Sequence, residues 1–159
     1  LVVGVQDSRT IEVVIEGQSL SRVFVVRLLG VEPPLLSDPW AGVAVEWLGQ
    51  EVGRQVVVLE SDEVERDAEG SLLRYVWKEG LMVNVMMVRQ GLATASEDAA
   101  DLDYGADLLD AQSSARDDEL GLWGPPPTTT PTLATTRLLT ATLIATQTPT
   151  ATVESTISP

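Results

Sequence analysis

Five strand-like runs, a helical stretch after the third and helical patterns after the fifth predict an α+β, mainly β, domain. The expected architecture is a five-stranded Greek-key barrel of the OB type with about three helices. Composition adds a second feature. Residues 125–159 are dominated by Thr, Pro, Ala and Leu, so the chain is expected to divide into a folded domain over 1–124 and a disordered or extended tail over 125–159. A chain of 159 residues is long enough to bury one core.

The strands come first. LVVGVQ is a Val-rich run, DSR at 7–9 has turn chemistry, and TIEVVIEG alternates apolar and polar residues before a turn at Gly17-Gln18. RVFVVRLLGV, residues 22–31, reads as the third strand of a meander of β-branched residues. After a proline-rich loop, Asp38 and Pro39 supply an N-cap and a first-turn proline for a helix near 40–52, which Gly53 ends. RQVVVLES is the fourth strand, ESDEVERDAEG an acidic loop, and SLLRYVWKEG the fifth strand. Met82, Val85, Met86 and Arg89 fall at helical spacing, with Gly91 as C-cap. A last helix is expected near 104–119, with Tyr104, Leu108, Ala111 and Ala115 on one face. The methionines and Trp123 read as core residues, Trp123 folding back as an anchor.

Charge narrows the function. The chain has 10 basic and 24 acidic residues, of which only Arg137 and Glu154 lie in the tail, so 9 basic residues face 23 acidic ones in the domain. Lys78 is the only lysine. A binder of phosphate backbones gains affinity from clustered Lys and Arg, and no such cluster is present. A basic protein or peptide is therefore favoured as partner over nucleic acid, and a monomer is expected. Solubility alone also explains an acidic surface. With no cysteine and no histidine, zinc-finger, thiol-nucleophile and Ser-His-Asp chemistry are excluded. No apolar run approaches the roughly 18–20 residues of a membrane span. Leu1 rather than Met at the start is expected of a processed product, and a removed signal peptide fits it. The Thr/Pro-rich tail suits a stalk, which points to an extracellular or cell-envelope location; an intracellular linker is the alternative.

Specific strings then resemble one family. VQDSRTIEV at 5–13 is similar to V-x-D-G-D-T-I-x-V. RLLGVEPP at 27–34 is similar to RL-x-G-(I/V)-D-T-P. Residues 56–93 resemble a strand, a D-x-x-G-R turn, a second strand, and a helix of the form MVN-x-x-LV-x-x-GLA. AQSSARDDELGLWG at 111–124 is similar to an A-x-x-x-AR…GLW ending. In this order the strings resemble the staphylococcal nuclease-like (thermonuclease) family over residues 1–124.

The resemblance implies an OB-type barrel and, for active members, calcium-dependent hydrolysis of DNA and RNA. Carboxylates and a carbonyl hold the cation, a Glu activates water, and two Arg neutralise the phosphate. Carried over residue by residue, Arg27 matches the first phosphate arginine. Asp7 matches the first Asp of the D-G-D turn, but the metal-binding second Asp is Arg9 here. Glu32 stands at the other metal-binding Asp, Pro33 at the adjoining Thr, Leu35 at the general base and Ser71 at the second arginine. A cation cannot ligate calcium, and Leu35 cannot take a proton. The resemblance thus implies a catalytically degenerate domain serving as a binding or scaffold module, with no cofactor expected. The alternative is a diverged calcium-dependent nuclease, and a third reading is a structural domain without a site. Arg9 is expected either to face Glu32, supplying the charge of the absent cation, or to point to solvent. The acidic loop 60–69 lacks the D-x-D-x-D-G pattern of an EF-hand and reads as a solvated charge run.

Overall fold

The computed structural model describes residues 1–18 and 22–127. The tail expected from residue 125 lies, from Thr128 on, outside the described residues. Strands β1 (Val2–Asp7), β2 (Thr10–Val13) and β3 (Phe24–Leu28) form the antiparallel meander. Helix α1 (Trp40–Val52) intervenes before β5 (Val58–Glu60) and β6 (Leu72–Lys78). The order β1-β2-β3-β6-β5, with β3 and β6 parallel, is that of a five-stranded OB-type barrel. Between β1 and the β5 side, Val2 N–H donates to the Gln55 carbonyl at 2.9 Å.

Three short strands complete the sheets. β7 (Leu81–Met82) folds back on β6, and β4 (Val31–Glu32) pairs with β8 (Thr94–Ala95). The third strand is therefore shorter than 22–31. It stops at Leu28 because Gly30 adopts φ +73°, a left-handed conformation that a side chain resists. A Cβ at Gly30 would also overlap Leu108 and Leu102. The turn at Gly30 lets Val31 and Glu32 leave the barrel as β4.

Asp38 caps α1: its Oδ1 accepts the Trp40 N–H at 2.8 Å. Ala44, Leu48 and Val52, four apart, bury one face of the helix. Helix α2 (Val83–Arg89) ends in a Schellman motif: Gly91 N–H reaches the Val88 carbonyl and Leu92 N–H the Met87 carbonyl. Its buried face is Val83, Asn84, Met87 and Val88; Met82, just before the helix on β7, is buried as well, while Val85 and Met86 are half-buried and Arg89 is exposed. The segment is apolar on nearly all sides and has only two turns, so spacing alone did not select its face. Helix α3 (Gly105–Asp117) buries Leu108, Ala111 and Ala115.

Trp123, on a 3-10 turn after α3, is half-buried and lies outside the core clusters. Its ring is covered by the Arg116 guanidinium at 4.2 Å, a cation–π contact. No helix among the described residues is long and apolar enough to cross a membrane.

Candidate active-site cleft

The β1–β2 turn holds Arg9. The Arg9 N–H donates to Asp7 Oδ1 at 2.8 Å, and the Arg9 carbonyl accepts the Leu28 N–H at 2.8 Å. Ser8 is buried beneath the turn. The Arg9 backbone is thus fixed against β3, and its side chain projects toward β4. There Arg9 Nη1 donates to Glu32 Oε2 at 2.9 Å. Glu32 is held on β4 by pairing with Thr94.

Arg27, on β3, pairs with Thr10 across the sheet and projects toward the 67–71 turn. Its Nη1 donates to Asp67 Oδ2 at 2.7 Å and lies 2.6 Å from Glu69 Oε2. Asp67 is also the organiser of its own turn: Oδ1 accepts the N–H groups of Glu69 at 3.0 Å and Ser71 at 2.9 Å. One carboxylate therefore closes the turn and captures the arginine. Arg27 Nε is shielded from solvent without a hydrogen-bond partner.

Arg9, Arg27 and Glu32 line a cleft of about 490 Å³, together with Leu35, Leu36 and Val45. Leu35 is 77% and Leu36 98% exposed, on the loop that enters α1. The structure thus brings together four of the five candidate positions. Ser71 lines the 67–71 turn rather than the cleft; its backbone N–H donates to Asp67 Oδ1 and its carbonyl accepts the Asp67 N–H.

These donors do not fit a calcium ion. Calcium takes six to eight oxygen ligands, whereas the Glu32 carboxylate accepts a hydrogen bond from Arg9 and Asp7 Oδ1 accepts one from the Arg9 amide. Among the described residues no three acidic side chains gather to hold a metal ion. The Arg9–Glu32 pair is open to water, with side chains 29% and 55% exposed. Such a pair contributes about 0–1 kcal/mol to stability, so its consequence is neutralisation of charge in the cleft rather than a tighter fold.

Sequence reasoning passed over Asp67 and Glu69 as part of an acidic run. The signal was present as D-A-E-G-S, an Asp three residues before a glycine, the arrangement of a side-chain-closed turn. The acidic loop has a second fixed point. Asp62 Oδ2 accepts Tyr75 Oη–H at 2.6 Å and the Asp103 N–H at 3.1 Å. These bonds, Tyr75 first, hold the Asp62 carboxyl below its usual value, while burial and then Asp62 push the Tyr75 hydroxyl upward. Asp62 thus joins the loop to β6 and to the segment before α3.

With this geometry in hand, comparison with known proteins is decisive for family. A family model described as staphylococcal nuclease homologue matches residues 25–125. The chain belongs to the staphylococcal nuclease-like family. The thermonuclease of Staphylococcus intermedius is 31% identical over 104 residues, 62% of this chain. The match spans 62% of the length of that relative as well. This staphylococcal nuclease-like domain therefore carries its family's barrel.

Proposed function

We propose that this staphylococcal nuclease-like domain has lost phosphodiester hydrolysis and serves as a binding or scaffold module. The observation that carries the reading is the Arg9–Glu32 pair at 2.9 Å. It sets a fixed positive charge at one position where the family resemblance implies a metal ligand and occupies the carboxylate at the other. Leu35, exposed on the loop at the base position, supports it, because an alkyl side chain has no proton acceptor. Loss of one charged transition-state contact costs roughly 3–4 kcal/mol of barrier lowering. Base, metal ligand and second arginine are all replaced here. The acidic surface favours a basic protein or peptide as partner. The stalk-like composition of residues 125–159 extends the proposal to an extracellular or cell-envelope location and to a domain ending near residue 124.

The competing reading, a diverged calcium-dependent nuclease, has Arg27 and Glu32 and the match to a thermonuclease in its favour. Incubation with single-stranded DNA and RNA in calcium, in manganese and in EDTA separates the two. The module reading expects no cleavage above the blank in any of them. Calcium-dependent cleavage that Arg27→Ala abolishes would establish the nuclease instead.

A further inference from the structure

Arg27 meets two carboxylates where one would neutralise it. Both come from the 67–71 turn and both face Nη1, Asp67 Oδ2 at 2.7 Å and Glu69 Oε2 at 2.6 Å. Their circumstances differ. Asp67 is 15% exposed and is needed by its own turn, because its Oδ1 accepts the N–H groups of Glu69 and Ser71. The Glu69 side chain is 67% exposed, and among the described residues its carboxylate touches no cation other than Arg27. The turn closes without it. An ion pair this open to water adds little to stability, so the effect of Glu69 falls on what Arg27 can offer a ligand.

A guanidinium grips a phosphate through two parallel N–H groups on one edge. One edge uses Nε and Nη2, the other Nη1 and Nη2. Arg27 Nε is shielded from solvent, which closes the first edge. The two carboxylates at Nη1 cover the second. Their two negative charges also exceed the one positive charge of Arg27, so an arriving anion is repelled. Arg9, the other arginine of the cleft wall, is itself paired with Glu32. We propose that Glu69 turns phosphate-bearing ligands away from the cleft, as an internal carboxylate standing where an external anion would meet Arg27. The proposal rests on the reading of the cleft as a non-hydrolytic binding site and names what that site rejects. Rotation of one exposed side chain separates the closed arginine from an open one. Affinity for an outside anion is lowered by the fraction of time that Arg27 is uncovered.

The test titrates inorganic phosphate, in EDTA and at constant ionic strength, into the 159-residue chain and into its Glu69→Gln variant. Binding is read by NMR from the Arg27 Nε–H resonance. Glutamine keeps the length of the side chain and removes its charge, so phosphate is expected to bind the variant roughly tenfold more tightly than the parent, or better. Glu65→Gln removes the same charge from an exposed neighbour that does not contact Arg27. It should leave phosphate affinity at the parent's level. Equal affinity in the parent and Glu69→Gln would overturn the proposal. So would an equal gain in Glu65→Gln, which would assign the effect to overall charge. An Arg27 resonance that answers phosphate in neither the parent nor Glu69→Gln would overturn it as well, because something other than Glu69 would then close the arginine. Cleavage is not read in this titration, so a failure of the non-hydrolytic reading shows only in the nuclease assay and a failure of the Glu69 proposal only here.

Discussion

The polar groups around Asn84 and those of the cleft meet opposite demands. Asn84 is fully buried. Its Oδ1 accepts the Val76 N–H, and its Nδ2 donates to the carbonyls of Leu29 and Arg74. One side chain thereby joins α2 to β6 and to the end of β3, and its bonds to Val76 and Leu29 are hidden from water. The cleft charges are half open to solvent and neutralise one another, Arg9 with Glu32 and Arg27 with Asp67 and Glu69. The difference teaches that substitution is costly at the junction and cheap in the cleft. Removing Asn84 strands buried backbone groups, a cost no solvent relieves. Substitution at Arg9, Glu32 or Leu35 disturbs groups that water can reach.

The sharpest break in that contrast comes from Asn84→Leu. The Val76 N–H and the Leu29 carbonyl lose their Asn84 partner, while the Arg74 carbonyl keeps the Leu29 N–H. At about 1–3 kcal/mol per stranded group, urea denaturation should show a loss of roughly 2 kcal/mol or more. A loss under about 1 kcal/mol would mean that the junction relaxes as freely as the cleft.

Asp62→Asn tests an intermediate case, a half-buried carboxylate with three hydrogen bonds. Near neutral pH the variant should be about 1–2 kcal/mol less stable. The pH dependence has a definite sign. The folded carboxyl lies below its ordinary value of 3.8, so its contribution is fully present above that value. It is lost as pH falls through the folded value. Denaturation curves of the two proteins should therefore converge in acid, and a gap that widens there would contradict the assignment.

The smallest effect belongs to Arg9→Asp. In EDTA its stability should lie within about 1 kcal/mol of the parent, whereas calcium should raise the melting temperature of the variant and not of the parent. If calcium moves neither protein and the two melt together in EDTA, Arg9 does not stand in for a cation.

Much of the barrel was legible because alternation and turn residues coincide. TIEV beside the DSR turn and LLRYVWK before Glu79-Gly80 became β2 and β6. The Asp38-Pro39 start of α1 was legible for the same reason, a local rule with a local partner. Less readable were features decided at a distance. Gly30 interrupts the third strand because Leu108 and Leu102 pack over it. The polar Asn84 inside MVNVMMV was a signal for a buried bridging group, but its three partners lie on other elements. Nor could spacing show that Arg27 would be captured from the 67–69 turn, forty positions along the chain.

The close approach of Gly91 and Gly121 has a mechanical consequence. Leu122 N–H donates to the Gly91 carbonyl at 2.8 Å, and any Cβ on either glycine would collide with backbone of the other segment. Tension applied beyond Pro127 would meet this clasp and the Arg116–Trp123 stack before reaching a barrel strand. The bond would be loaded together with the end of α2, while β1, β2 and β3 stayed slack. A pull from that side would strip the 3-10 turn and α3 first, leaving the sheet to yield last.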